Sequence, residues 1–186
     1  MTIFTFLKNI IQLILSPVNA WKDIEREDVP VDKATTSGLY PLMAVMLLTV
    51  FLRPVYGLVE FDLINLLQIA LIQFVALYVA LFAGRNVMER YLPAYNSTGA
   101  NDPIAVGNVA VYGTGLMTVI QIIENLMPID LPILQLLPAF AAICIWESHQ
   151  YLDIKPKRET PFMLLSVVAL IAPVILINLV MSYVIN

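Results

Sequence analysis

The stretch from Ile104 to Met127 constrains this chain more than any other part of its sequence. It is long and apolar enough to cross a bilayer as one α-helix, which takes about 20 residues. Small and polar residues nevertheless recur along it at steps of three or four, and these are Gly107, Ala110, Thr114, Thr118, Gln121 and Asn125. Such spacing keeps all of them on one face of the helix. Because lipid offers polar side chains no hydrogen-bond partners, we expect this face to lie against protein or a wet cavity.

Composition places the rest of the chain in the same environment. Hydrophobic residues make up 60% of the 186 residues, charged residues make up 13%, and the mean hydropathy is +0.83. A soluble domain has roughly a quarter charged residues, so the sequence predicts an all-α integral membrane protein. The net charge of −4 comes without a dense basic patch, which argues against a nucleic-acid partner.

Apolar segments divide the chain into an N-terminal arm and a membrane domain. The arm covers residues 1–37 and contains an amphipathic helix over residues 3–15, which is too short to span a bilayer and is expected in the interface plane. Two interpretations of the arm are open: it senses the membrane or docks a partner, or it packs as a flap over the cytoplasmic end of the bundle. The membrane domain, residues 38–186, is predicted to be a bundle of five transmembrane helices, at about 38–57, 61–83, 104–127, 131–147 and 161–185.

The loop charges indicate the orientation of these spans. If five spans alternate, all Lys and Arg residues except Arg53 lie on the side of the N-terminus. The positive-inside rule then predicts a cytoplasmic N-terminus and an external C-terminus. Before the last span, Lys155, Lys157 and Arg158 are candidate contacts for anionic lipid headgroups, with a solvated loop as the alternative. Aromatic residues at the cytoplasmic boundaries are expected to anchor the bundle in the interface, and these are Tyr91, Tyr95, Trp146 and Tyr151.

The second and third spans carry the candidate polar site. Its predicted members are uncharged except for one acid, and they are Asn65, Gln68, Gln73, Thr114, Thr118, Gln121, Glu124 and Asn125. Glu124 lies about one turn from the outer end of its helix, where a carboxylate reaches headgroups, and Arg53 is a candidate partner on the same side. One hypothesis is a sealed seam between the two helices, and the other is a wet path for a small solute or an ion.

Residues suited to catalysis or metal binding are scarce. Cys144 is the only cysteine and His149 the only histidine, which excludes an intramolecular disulfide and a Cys- or His-rich metal cluster. His149 directly follows Glu147 and Ser148, and neighbours in a helix do not face each other. The Gly113–Gly115 triplet is too short for a nucleotide loop and indicates close helix packing. We therefore expect neither an enzyme nor a bound cofactor.

Two longer segments resemble a known family. They are SPVNAWKDIERED, followed by a polar hinge and a span that opens LYPLMA, and AVYGTGLMTVIQIIENLMP, followed by a short proline-bearing span that ends in an aromatic residue. Both are similar to the Yip domain of the Ypt/Rab-GTPase-interacting membrane proteins and their bacterial relatives. The resemblance implies five membrane helices, a cytoplasmic N-terminus and no established enzymatic activity.

Differences from the family pattern indicate the branch. Eukaryotic members are linked to small GTPases, vesicle traffic and membrane curvature, whereas this chain has almost no N-terminal domain ahead of Ser16. The DLYGP-type motif expected at the first span is reduced to Gly38-Leu39-Tyr40-Pro41. Both differences favour the bacterial branch, in the inner membrane, over partnership with a small GTPase.

The functional expectation follows from the class of protein and from the resemblance. We expect a non-enzymatic membrane scaffold or organiser that acts through membrane lipids, other membrane proteins or self-association. The alternative is a small-solute or ion transporter or channel that uses the polar faces of spans two and three.

Overall fold

The computed structural model describes residues 1–56, 60–127 and 136–185, with side chains up to residue 180. Within these segments, the only pairing of extended backbone is an isolated bridge between Asn96 and Ile154. The α-helices there are α1 (Ile3–Leu15), α2 (Pro17–Glu27), α3 (Val31–Ala34), α4 (Tyr40–Val50), α5 (Leu63–Tyr95), α6 (Pro103–Leu126), α7 (Leu137–Trp146) and α8 (Glu159–Ile185). Three stretches are long and apolar enough to cross a membrane, namely Leu63–Tyr95, Pro103–Leu126 and Pro156–Val180. The predicted all-helical fold is confirmed for these segments, and the three long apolar stretches support the predicted association with a membrane.

The prediction of five spans goes beyond these three stretches. Helices α4 and α7 contain 11 and 10 residues, respectively, and a span needs about 20. The predicted end of span one at Gly57 and the predicted start of span four at Leu131 lie outside the described residues. The number of spans therefore stays a prediction.

Helices α1 and α2 form a hairpin that packs on one end of the bundle. The Thr2 hydroxyl caps α1 by accepting a hydrogen bond from the Thr5 N–H (3.3 Å), and Pro17 occupies the first turn of α2. A hydrogen bond from Asn9 Nδ2 to Glu27 Oε2 (2.9 Å) joins the two helices. The arm is thus a folded unit, and its role as a flap over the cytoplasmic end stays an interpretation.

Helix α1 has apolar side chains on two faces. Phe6, Ile10 and Leu13 are fully buried against the bundle. On the outward face, Phe4 and Leu15 are 79% and 78% exposed. The arm therefore uses one apolar face for packing and leaves a second one free, and the position of α1 in the interface plane stays a prediction.

A π turn (Thr35–Leu39) joins α3 to α4 without a break in the helical backbone. The Tyr40 N–H bonds to the carbonyl of Thr35, five residues back. Pro41 follows directly, and a proline ring clashes with the carbonyl one turn before it and has no N–H to donate. The wider π turn accommodates this proline, so that one helical rod runs from Val31 to Val50.

Helix α5 is longer than predicted. The predicted loop at Arg85 and Arg90 was wrong, because the helix continues to Tyr95. The predicted end of the membrane span at about residue 83 stays a prediction. An ion pair between Arg85 Nε and Glu89 Oε1 (2.7 Å) supports the added turns. At about 1.5 Å per residue, α5 measures roughly 50 Å, well beyond the ~30 Å hydrocarbon core of a bilayer.

Helices α5 and α8 pack together along their length in opposite directions. The ring of Tyr95 lies 5.4 Å from that of Phe162, and a side chain at Gly84 would overlap Leu170. Their outward faces carry large exposed apolar side chains, which include Leu67, Leu71, Val75, Leu164, Val168 and Leu176. These side chains form the surface that lipid would cover.

The loops after α5 and before α8 meet beside the arm. The Ser97 N–H donates to Asp153 O (2.9 Å), and the Lys155 N–H donates to Tyr95 O (3.0 Å). We call this end of the bundle the arm end, and the end that holds Arg53 and the C-terminus of α6 the opposite end. The grouping of loops agrees with the sidedness that the charge pattern predicts.

Candidate functional site

Helix α6 is the central helix of the bundle. Asp102 caps its N-terminus, because its carboxylate accepts hydrogen bonds from the N–H groups of Ile104 (3.1 Å) and Ala105 (2.9 Å). Of its most apolar 18 residues, 83% are buried, against 39% in α5 and 28% in the last candidate span. The face opposite the polar line is also covered, since Val109 and Leu116 are buried. Protein therefore surrounds α6 on both of these faces.

The two glycines of the Gly113–Gly115 triplet explain how neighbouring helices approach α6 from two sides. A Cβ atom at Gly113 would lie 3.0 Å from Leu170 of α8, and one at Gly115 would lie 2.8 Å from Ile10 of α1. Side chains at these positions would push the neighbouring helices away. The triplet is a packing element, in line with its sequence interpretation.

An amide network closes the opposite end of the polar line. Gln73 Nε2 donates to Asn125 Oδ1 (3.1 Å), and Asn125 Nδ2 donates back to Gln73 Oε1 (3.0 Å). Asn125 Nδ2 also donates to the Thr49 hydroxyl (3.1 Å), which itself donates to Met46 O (2.6 Å). All these groups are buried, so that α4, α5 and α6 are tied together at one depth.

The middle of the polar line is buried but only partly bonded. The Thr118 hydroxyl donates to the carbonyl of Thr114 one turn earlier (2.8 Å). The Thr114 hydroxyl and both amide atoms of Gln121 are buried without a protein partner in the described part of the chain. A buried polar group without a partner costs ~1–3 kcal/mol. These side chains are the polar atoms that a water molecule or a solute would seek.

The structure separates the other predicted members from this network. Gln68 and Glu124 are exposed, and Asn65 is half-buried with an amide oxygen that has no partner among the described residues. Arg53 attracts Glu124 electrostatically but forms no ion pair with it within 4.0 Å. Thr49 belongs to the network and was missed, because a single hydroxyl in an apolar span produces no periodic pattern.

A second cluster, made of aromatic rings, lies at the arm end. Phe6 stacks on Tyr112 with ring centroids 5.0 Å apart, and Trp21 stacks on Tyr151 at 5.7 Å. Trp21 also meets Tyr112 edge-on at 6.3 Å and donates from Nε1 to Cys144 O (2.9 Å). This aromatic cluster attaches the arm to α6 and α7.

Two asparagines complete the aromatic cluster. Asn9 Nδ2 lies 3.1 Å from the Tyr112 hydroxyl, and Asn108 Nδ2 lies 3.2 Å from the Tyr151 hydroxyl. Asn108 Nδ2 also donates to Val29 O (3.4 Å). Burial raises the pKa of Tyr151 above its ordinary value of 10.0, and the bond from Asn108 acts in the opposite direction. The ring of Tyr151 packs on Trp21, and its predicted place in an interfacial belt stays a prediction.

The basic loop before α8 is solvent-exposed. Lys155, Lys157 and Arg158 are all exposed, and Arg158 donates from Nη1 to the carbonyl of Ala94 (2.5 Å) near the end of α5. Arg158 thus satisfies a carbonyl of the last turn of that helix. Contact of this loop with anionic headgroups stays a prediction.

No cluster of three or more His, Cys, Asp or Glu residues within the described ranges could hold a metal ion. His149 Nε2 lies 3.3 Å from Glu159 Oε1, and its Nδ1 lies 3.0 Å from Trp146 O. Ser148 is not among its partners. The chemistry of the site is that of hydrogen bonding and packing.

Comparison with known proteins finds no family model, no curated protein and no solved structure that matches this chain.

Proposed function

We propose that this chain is a non-enzymatic, polytopic membrane scaffold that acts through lipids and through protein partners or self-association. The observation that carries the proposal is the burial of α6. The helix with the best polar line in the sequence is covered by the arm at one end and closed by the Gln73–Asn125 pair at the other. A filled centre and a wide apolar exterior suit a protein that works through its outer surface.

The proposal includes five spans and an arm end that faces the cytoplasm of a bacterium. The rod from Val31 to Val50 is about 30 Å long at ~1.5 Å per residue, which suits a first span. The arm and the paired loops bring the basic residues to one end, while Arg53 lies at the other. The likeness of the sequence to the bacterial Yip-domain proteins supports the same topology and role.

Extraction of the protein from its membrane directly into polymer-bounded lipid discs tests the scaffold proposal. We expect the discs to contain either several copies of the chain or a second membrane protein in fixed ratio. Mass measurement of single discs gives this stoichiometry, and an unrelated membrane protein of similar size is the control. Discs that hold one copy and no partner would contradict the proposal.

A transporter is the second candidate. The Gln121 amide and the Thr114 hydroxyl favour it, since neither has a partner in the part of the chain that the structure describes. Single cysteines at Ala110, Thr114 and Thr118 in a Cys144→Ala background test this alternative with a membrane-impermeant maleimide. We expect all three to be protected, because the scaffold needs a sealed seam. Labelling of all three would establish a wet path. Ser97→Cys, in an exposed loop at the arm end, is the positive control, and the reagent is applied to both sides of the membrane so that it reaches this loop.

A further inference from the structure

A groove opens on the side of the bundle between the π turn and α5. Two adjoining cavities of about 220 Å³ and 370 Å³ form it, and both are lined by Val31, Asp32 and Arg85. A helix that contains a π turn often carries function at that turn. The groove is separate from both the amide network and the aromatic cluster.

The polar part of the groove carries charges of both signs. Asp28 and Asp32 supply carboxylates, and Arg85 supplies a guanidinium. Arg85 Nε is bonded to Glu89 (2.7 Å), which leaves its two terminal nitrogens to donate elsewhere. The Thr36 hydroxyl already donates to Asp32 O (2.7 Å) and can only accept from a ligand. This arrangement matches a ligand that holds a negative and a positive group a few bonds apart.

The remaining part of the groove is apolar and open to lipid. Leu81, Phe82 and Tyr40 line it, and Phe82 and Tyr40 are 45% and 40% exposed on the exterior. These rings continue into the apolar outward face of α5. A hydrocarbon chain could leave the groove here without crossing a polar surface.

The depth of the groove suits a headgroup. Arg85 follows Leu63, the first residue of α5, by roughly 33 Å at about 1.5 Å per residue. The hydrocarbon core is ~30 Å thick, so Arg85 reaches the boundary between acyl chains and headgroups at the arm end. The charged side chains and the apolar rings of the groove therefore meet at the depth where the headgroup of a phospholipid joins its acyl chains.

We propose that this groove binds a phospholipid with a zwitterionic headgroup that carries a primary ammonium, of the phosphatidylethanolamine class. The phosphate lies against Arg85, the ammonium lies between Asp28 and Asp32, and one acyl chain passes over Phe82 and Tyr40. A purely anionic headgroup would meet two carboxylates, and a quaternary ammonium has no N–H to donate to them. This phospholipid would be one of the lipid partners of the proposed scaffold, and only that link rests on the proposed function.

Lipid binding to the delipidated full-length chain in maltoside detergent tests the assignment. The probes are dioleoyl phosphatidylethanolamine, phosphatidylcholine and phosphatidylglycerol, with bound lipid counted by native mass spectrometry. We expect the ethanolamine lipid to bind roughly tenfold more tightly than the other two, as one charge-assisted hydrogen bond would give. Equal binding of the three lipids by the wild-type chain would overturn the proposal.

Variants identify the groove as the binding site. Arg85→Gln is expected to weaken binding of the ethanolamine lipid by roughly tenfold, and Asp32→Asn is expected to remove its advantage over the choline lipid. Arg90→Gln, an exposed arginine further along α5, is the matched control and should bind like the wild type. An Arg85→Gln variant that binds like Arg90→Gln would overturn the site.

A competition experiment shows whether the ligand must carry acyl chains. Glycerophosphoethanolamine, which lacks acyl chains, should not compete at equal concentration, and equal competition would overturn a lipid as the ligand. If Arg85→Gln fails to fold, the Asp32→Asn variant and the wild-type lipid series still test the proposal. Asp32 is exposed, so its substitution should not prevent folding. Equal binding of the three lipids would contradict the proposed lipid site but not the proposed scaffold function. Lipid discs that hold one copy and no partner would contradict the scaffold function but not the lipid site.

Discussion

The two halves of α6 are covered by different kinds of chemistry. The half at the opposite end is held by amide side chains from neighbouring spans, with Asn125 bonded to Gln73 and Thr49. The half at the arm end is held by rings, with Tyr112 between Phe6 and Trp21. Rings bury large apolar areas, whereas each membrane-buried side-chain hydrogen bond contributes only about 0.6 kcal/mol on average. The arm should therefore contribute more to stability, and the amides more to register.

Among changes in the two halves of α6, removal of the Trp21 ring is expected to lower the stability of the protein most. Trp21→Ala deletes the stack on Tyr151 and the bond to Cys144 O, and a buried Trp→Ala change costs ~3–5 kcal/mol. Thermal unfolding in detergent measures it, and protease cleavage within the arm should increase. Trp21→Phe, which keeps most of the ring area, should recover much of the loss. Wild-type stability of Trp21→Ala would mean that the arm does not hold α6.

Breaking the amide network is expected to cause the second-largest loss of stability. Gln73→Leu leaves Asn125 short of a partner, and we expect a loss of about 1–2 kcal/mol. The double variant Gln73→Leu with Asn125→Leu removes both amides and should cost less than the sum of the two single changes. Unfolding of all four proteins in the same detergent completes the cycle. Strict additivity would show that the two side chains act independently.

Alkaline pH should loosen the arm to a smaller extent. The pKa of Tyr151 is raised by burial, so the unfolded chain loses this proton first as pH rises above about 10. The stability that the neutral phenol contributes is complete below that pH and is lost as pH rises towards the folded pKa. Trp21 fluorescence between about pH 9 and 11 follows the change. Tyr151→Phe should make the decline shallower, while the exposed Tyr91→Phe should leave it unchanged.

The smallest effect is expected at Gln68, on the same helix as Gln73 but exposed. Gln68→Leu should change stability by no more than about 0.5 kcal/mol, as surface substitutions usually do. The two leucine variants on α5 form a matched pair, since only one of them removes a bonded amide. Equal losses of stability in Gln68→Leu and Gln73→Leu would mean that any leucine substitution on α5 destabilises the protein, whether or not it removes a bonded amide.

The central helix could be predicted from the sequence because its signal is periodic. Steps of three and four residues placed Asn125 on the face that meets Gln73. The extension of α5 beyond Ala83 could not be predicted in this way. A drop in hydropathy resembles a loop, although Arg85 and Glu89 pair across one turn of a continuing helix.

The arm shows a different reason for failure. The periodicity of α1 gave its helix and its apolar face but not the surface that this face covers. That surface comes from residues far along the chain, such as Tyr112 beside Asn9 and Cys144 beside Leu13. Hydropathy and spacing describe one segment at a time, and they hold no information about such distant pairs.

These distant contacts also affect how the protein is made. The arm leaves the ribosome before α6 and α7, in which its partner residues follow 103 to 131 residues later. At about 5–20 residues per second, the arm waits several seconds or more before Tyr112 and Cys144 exist. During that interval Phe6, Ile10 and Leu13 need another apolar surface, and the nearby bilayer offers one. Helix α1 therefore reaches its final position only after α6 and α7 have been synthesised.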